Sequence, residues 1–227
     1  MNLGLKDKAA LVMASSGGIG RGVAMELARE GAKVMLFARS GEKLAQTADA
    51  IEAETGNRPL VTAGDITDPE AIAGVVARTV EEFGGLWALF NNTGGPPAGS
   101  FAQFDDAAWQ SAFELTMLGY VRTIRAALPH LKAGGGGRIV NNTSVSTKQA
   151  IDGLLLSNVF RTGLVGLGKS LARELGRDGI LVNTVGPGRI DTERIEQLDT
   201  MWAGKGGISY DEQRAKAEAS IPLGKYG

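Results

Sequence analysis

The chain contains no cysteine, which excludes disulfides, thiolate nucleophiles and cysteine-ligated metals. His130 is its one histidine, so a multi-histidine metal site and a histidine-pair relay are excluded too, and no metal is expected. Lysine and arginine total 24 against 25 acids, a formal net charge of −1. With no excess of positive charge and no basic run, nucleic acid is not an expected partner. No apolar run reaches membrane-spanning length, so no membrane is expected as a partner either. The start, Met1-Asn2-Leu3-Gly4-Leu5-Lys6-Asp7, lacks the charged region, apolar core and cleavage site of a secretory leader. A cytoplasmic protein is the expectation.

What is present is 227 residues with 43% hydrophobic and 22% charged content, which suits one α/β domain spanning 1–227. Short apolar runs predict strands at 9–14, 33–38, 59–63, 86–91, 138–142 and 180–185. Between them, helical spacing predicts helices at 20–30, 41–54, 69–83, 107–132 and 157–176. The stretch 192–220 is polar, broken and helical, as a lid would be. Continuously apolar strands alternating with amphipathic helices imply a parallel sheet buried on both faces, a doubly wound Rossmann architecture.

The first strand runs into Ser15-Ser16-Gly17-Gly18-Ile19-Gly20, and a helix follows. Glycine lets backbone approach a pyrophosphate and turn tightly, and the helix N-terminus offers free N–H groups to phosphate. Ser15, Ser16, Gly18, Ile19 and Gly20 are therefore candidate cofactor contacts. At the end of the second strand a carboxylate would hold the ribose 2′-hydroxyl of NAD. This chain reads Phe37-Ala38-Arg39-Ser40 instead. Arg39 and Ser40 offer a guanidinium and a hydroxyl to a 2′-phosphate, which favours NADP(H) over NAD(H); otherwise Arg39 is a solvated residue.

Taken in order, these motifs resemble the short-chain dehydrogenase/reductase family over nearly the whole chain. The family's Thr-Gly-x-x-x-Gly-x-Gly motif falls on Met13, Ala14, Gly18 and Gly20, of which the two glycines match. The resemblance implies that Asp65 and Ile66 lie beside the adenine, and that Asn92, Thr93 and Gly94 follow the fourth strand as a cofactor motif. It also implies that Pro187 and Gly188 line the nicotinamide, with Ile190 and Thr192 meeting the carboxamide.

The family's catalytic set is asparagine, serine, tyrosine and lysine. Ser144 matches the serine. Ser157 stands at the tyrosine position, Arg161 at the lysine position and Thr116 at the asparagine position. Ser144, Ser157 and Arg161 are the candidate catalytic residues. The Ser-x-x-x-Arg pattern resembles a divergent branch often labelled 3-oxoacyl-carrier-protein reductases. Ser144 can still polarise a carbonyl, and Arg161 can still hold the nicotinamide ribose. A serine hydroxyl is a far weaker acid than a phenol, so the proton donor is unassigned. Ser157 either serves the chemistry or caps the helix it opens.

Lys148 and Asp152 fall in the loop after strand five. Lys148 either meets the substrate or is solvated. Tyr120 reads as packed, Tyr210 as part of the lid, and His130 as structural. Gly94-Gly95-Pro96-Pro97 either shapes a pocket floor or forms a plain surface loop.

After 227 the resemblance implies a further helix and a seventh, edge strand, so an uncovered sheet edge is expected here. Gly163, Gly166 and Gly168 would let the helix after Ser157 pack on a twin, and a homodimer or homotetramer is expected. Two functions remain open. One is NADP(H)-dependent interconversion of a small-molecule carbonyl and alcohol, possible with 3-oxoacyl substrates. The other is nucleotide binding without redox turnover, as a sensor, scaffold or partner subunit.

Overall fold

Six short apolar runs form strands: β1 (Ala9–Met13), β2 (Lys33–Ala38), β3 (Leu60–Ala63), β4 (Ala88–Asn91), β5 (Gly137–Asn142) and β6 (Ile180–Val185). The computed structural model describes residues 3–227; Met1 and Asn2, where the segment read for a leader begins, lie outside them. All neighbouring strands pair in parallel, in the order β3-β2-β1-β4-β5-β6. Every residue of β1 is buried, as expected of a strand covered on both faces.

Side-chain alternation along the strands divides the core in two. Leu11, Met13, Met35, Leu89 and Ile139 face one layer, packed with α3 (Pro69–Phe83), α5 (Gly119–Ala133) and α6 (Leu155–Leu175). Val12, Leu36 and Phe90 face the other, packed with α1 (Gly18–Arg29) and α2 (Gly41–Thr55). Helix starts use local chemistry. The Ser40 hydroxyl accepts from Lys43 N–H at 3.2 Å, and Asp68 accepts from Glu70 N–H at 2.9 Å ahead of Pro69.

The structure departs from the expectations in three places. The long helix at 107–132 is interrupted: α4 (Asp106–Phe113) passes through a π-helical turn, Glu114–Leu118, before α5. Thr116 sits in that turn, and its hydroxyl donates to the Ala112 carbonyl at 2.5 Å, a back-bond that perturbs the helical ladder.

Helix α6 begins at Leu155 with Leu154 as the cap residue, so Ser157 is inside the first turn and does not cap it. Asn158 sets this earlier start. Its side chain accepts from Ile151 N–H at 3.3 Å and donates to Ile151 C=O at 3.0 Å, folding the preceding loop onto the helix.

The helix glycines also act differently from the expectation. A Cβ at Gly163 would lie 2.4 Å from Met117 Cε, and one at Gly168 would lie 2.3 Å from Thr184 Oγ1. These two glycines admit neighbours of the same chain, and Gly166 alone of the three is open.

The segment 192–220 folds as α7 (Glu193–Gly206) and α8 (Tyr210–Ala219), and it is latched down. Asp199, fully buried, accepts from Arg189 at 2.8 Å and from the Tyr226 hydroxyl at 2.6 Å. Gly227 N–H bonds Arg189 C=O at 3.0 Å, and Asp191 N–H bonds Gly227 C=O at 2.9 Å. Strand β6 is the outer strand on its side, with Leu181 and Val185 exposed. No helix among the described residues is long and apolar enough to cross a membrane.

Candidate active site

Strand β1 lies between β2 and β4, so the chain winds outward in both directions from it. The connections leaving the C-terminal ends of β1 and β4 therefore diverge and leave a crevice, the place where such sheets bind ligands.

The β1–α1 loop forms one wall. Ala14 has φ +47°, a left-handed conformation unusual for a residue with a Cβ. Its carbonyl accepts from Asn92 Nδ2 at 3.3 Å, and a Cβ on Gly20 would lie 2.4 Å from the same oxygen. Glycine at 20 thus allows α1 to close on the strand. Ser15, proposed from the sequence as a cofactor contact, turns inward. Its hydroxyl donates to Val12 C=O at 2.9 Å and accepts from Phe37 N–H at 3.0 Å, with the residue fully buried. That hydroxyl ties β1 to β2 and cannot reach a ligand. Ile19 packs partly against the core, while Ser16 is half-buried and holds Thr47 through its carbonyl at 3.3 Å. Gly17 and Gly18 are exposed at the start of α1, whose first turn holds no acidic side chain.

The fit to a dinucleotide rests on backbone openness. A Cβ added at Gly17, Gly94 or Gly188 would meet nothing within 4 Å. The protein's own packing does not require these glycines, and each sits in a loop leaving a strand's C-terminal end. Arg39 is exposed at the end of β2 and has no ion-pair partner among the described residues. Ser40 beside it is committed through its oxygen to capping α2. Asp65 uses one carboxylate oxygen to accept from Thr67 N–H at 2.9 Å and Thr67 Oγ1–H at 2.8 Å. Ile66 is buried in the core, so only its backbone can face a ligand.

Beyond β4, Asn92 accepts from Asn142 Nδ2 at 2.9 Å, bridging the β1 loop to β5. Thr93 is buried with its hydroxyl unpaired, and Gly94 is exposed. Pro187 C=O accepts from Val145 N–H at 2.8 Å, pinning the loop after β6 to the one after β5. Thr192 starts α7: its hydroxyl donates to Ile190 C=O at 3.2 Å and accepts from Ile195 N–H at 3.4 Å. Its methyl lies 3.3 Å from where a Gly18 Cβ would be, so the loops carrying Gly18 and Thr192 meet across the crevice.

Ser144, half-buried after β5, accepts from Ser146 N–H at 3.1 Å. With that acceptor role filled from inside, its own proton is free to point outward. Arg161 on α6 is buried, and its Nη1 donates to Asn142 C=O at 3.2 Å and Thr143 C=O at 3.3 Å. Arg161 is thus bonded at the end of β5 to the carbonyl of Thr143, the residue that precedes Ser144. Ser157 is half-buried, and its hydroxyl has no partner among the described residues.

Residues 8–202 match the short chain dehydrogenase family. The chain belongs to that family. It is 34% identical over 222 residues to a putative ketoacyl reductase of the granaticin polyketide synthase of Streptomyces violaceoruber, covering 96% of this chain and 80% of that protein. Its fold is similar, at TM-score 0.93 and 30% identity, to L-sorbose reductase from Gluconobacter frateurii complexed with NADPH and L-sorbose, covering 100% of this chain and 87% of that one. An actinorhodin polyketide ketoreductase variant solved with NADPH superposes at TM-score 0.92 and 31% identity, covering 97% and 85%. As a short-chain dehydrogenase, the protein is an oxidoreductase.

Three residues near the dehydrogenase's site carry weight that their sequence positions did not reveal. Tyr120 is fully buried, as expected for a packed residue, yet its hydroxyl donates to Asn142 C=O at 2.6 Å, the carbonyl that Arg161 also holds. Burial pushes the phenol's pKa up, against the opposing pull of the Arg161 charge. Arg194, on the first turn of α7, reaches back to Pro96 C=O at 2.9 Å. Asn158 positions the loop ahead of Ser157. No sequence periodicity marks these roles: Tyr120 and Arg194 join segments far apart in the chain, and Asn158 reaches back seven residues across an irregular loop. Lys148 and Asp152 are exposed. Tyr210 lies at the N-terminal end of α8 beside Arg214, and His130 lies in the last turn of α5. Among the described residues no cluster of potential metal ligands occurs.

Proposed function

We propose that this short-chain dehydrogenase reduces a small-molecule carbonyl with NADPH, with Ser144 polarising the carbonyl oxygen and Arg161 holding the cofactor's ribose. The observation that carries the reading is Arg161 bonded to the Thr143 carbonyl, next in the chain to Ser144, beside a crevice bordered by open glycine backbone. When bound, the cofactor supplies the hydride. Gly18, Ile19, Gly20 and the backbone of Ser16 receive the pyrophosphate at the start of α1, where free N–H groups face it. Arg39 takes the 2′-phosphate, with Ser40 contributing through backbone. Asp65 and Ile66 border the adenine. Asn92, Thr93 and Gly94 line the middle of the crevice, and Pro187, Gly188, Ile190 and Thr192 line its nicotinamide end. The NADPH held by the sorbose reductase and by the polyketide ketoreductase supports this preference over NADH.

Ser144 donates a hydrogen bond to the carbonyl oxygen as negative charge develops there. The proton that completes the alcohol comes from solvent, with the Ser157 hydroxyl, uncommitted in the first turn of α6, as the relay point. The relatives' names support 3-oxoacyl groups as one substrate class, and a homo-oligomer in the cytoplasm is part of the same reading.

The test is a screen of ketones, quinones and 3-oxoacyl thioesters with NADPH and NADH, alongside fluorescence titration of both cofactors. Turnover abolished by Ser144→Ala with NADPH affinity retained is the expected result. Tight NADPH binding with no oxidation across the screen, in wild type and in the Ser157→Tyr, Arg161→Lys variant, would instead support nucleotide binding without redox turnover.

A further inference from the structure

Two charged residues are fully or nearly fully buried among the described residues: Asp199 and Arg161. Asp199 is compensated by Arg189 and the Tyr226 hydroxyl. Arg161 has no such compensation. Its partners are the neutral carbonyls of Asn142 and Thr143 and the neutral Tyr120 hydroxyl, and among the described residues no carboxylate pairs with it. A second cation, Arg194, stands close by. It is half-buried, donates to Pro96 C=O at 2.9 Å, and lies so near the 94–99 loop that a Cβ on Gly95 would be 2.9 Å from its Nε. Arg194 also lacks a carboxylate partner among the described residues. Burial and the Arg161 charge both lower its proton affinity, so the two cations sense each other.

Such a pair is costly to the fold. Each desolvated ion loses several kcal/mol of hydration, which only an opposite charge or a full set of acceptors offsets. Neutral carbonyls supply part of that, and repulsion between the two guanidiniums adds to the deficit. The missing counter-charge is therefore expected to arrive with a ligand. The phosphates of a dinucleotide already have the start of α1. Arg194 reaches Gly95 and Pro96 instead, and Arg161 borders Ser144 through the Thr143 carbonyl.

We propose that Arg194, with the buried Arg161 adding its charge behind it, recognises an oxyanion, and that the substrate carries a carboxylate or phosphate placed between Ser144 and the 94–99 loop. The guanidinium fork matches either group by two parallel hydrogen bonds. This inference rests on Ser144 as the residue that receives the carbonyl.

Calorimetry on the protein–NADP⁺ complex tests it with two matched pairs: 3-oxobutanoate against its methyl ester, and dihydroxyacetone phosphate against dihydroxyacetone. The charged member of at least one pair binds about tenfold or more tightly, and which pair responds identifies the oxyanion. Arg194→Gln removes the difference while NADPH affinity stays within about threefold, and Arg194→Lys retains part of it. Equal binding of charged and neutral members in both pairs of the wild type overturns the proposal without need of any variant. So does an Arg194→Gln variant that loses NADPH affinity and keeps the charge preference, since the arginine would then serve the nucleotide. A charge preference without turnover of any probe would leave the pair standing and defeat the reductase reading. Turnover of the ester with no charge preference would do the reverse.

Discussion

Replacing Arg161 by methionine separates its value to the fold from its value to the chemistry. The side chain is 6% exposed and donates to two carbonyls. Without it, Asn142 C=O keeps the Tyr120 hydroxyl at 2.6 Å, so that acceptor stays satisfied. Thr143 C=O loses its charged donor, at a cost of about 1.5–3 kcal/mol. Against that, methionine fills a similar length with apolar atoms and relieves the desolvation of an unpaired buried cation, an effect of several kcal/mol in its own right. The two nearly cancel, so Arg161→Met should unfold within about 1 kcal/mol of wild type. For a chain of this size that is a Tm shift of about 2–4 °C in either direction. Activity should respond quite differently. Removing the charge that holds the cofactor's ribose beside the reacting carbonyl lowers kcat/KM by roughly 10²–10³. Scanning calorimetry with steady-state NADPH oxidation measures both. A loss of more than about 3 kcal/mol in stability, with activity falling only as far as the folded fraction falls, would refute the reasoning and make Arg161 a structural residue.

Three further outcomes follow from local geometry. Ala14→Gly removes a left-handed strain of about 1–2 kcal/mol and adds about 0.4–1 kcal/mol of unfolded-state freedom, so thermal unfolding should show an equal or slightly higher Tm; a clear fall would contradict the strain. Arg39→Gln should raise the NADPH Kd by about 10- to 100-fold and leave NADH binding unchanged in the same fluorescence titration. Burial, with Asp199 beside it, pushes the Tyr226 phenol up to about 12. Because the folded value exceeds the ordinary value of 10.0, the contribution of this group is complete below pH 10 and is lost as pH rises through about 12. Ultraviolet titration of tyrosinate should show late ionisation, and Tyr226→Phe should remove one tyrosinate from it, leaving that of the buried Tyr120.

Much of the fold was legible because its signals are local. β2, α3 and β6 begin and end where apolar periodicity, Pro69 and the flanking glycines place them. The turn holding Gly18 and Gly20 was legible as a strand–turn–helix for the same reason, since its parts are contiguous. The start of α6 was not, because Asn158 reaches back seven residues to fix it. Ser15 was misread for a related reason. A serine in a phosphate loop suggests a ligand contact, and only the position of β2 shows its hydroxyl bonded to Phe37. Gly163 and Gly168 suggested a twin helix until Met117 and Thr184 were seen to occupy that space.

Sequence by itself determined the class of fold, the family, and the absence of cysteine chemistry, because apolar periodicity, glycine punctuation and composition act within short stretches of chain. It also showed Ser157 and Arg161 standing in place of a tyrosine and a lysine. Only the tertiary structure decided what surrounds them. It set Arg161 against the carbonyls of Asn142 and Thr143 with no acid to answer it among the described residues, brought Arg194 from α7 to the Pro96 carbonyl, and gave the Ser144 oxygen an internal donor in Ser146 N–H. Desolvation and charge compensation depend on everything that packs nearby, and residues remote in sequence become neighbours only when the sheet and its loops are assembled.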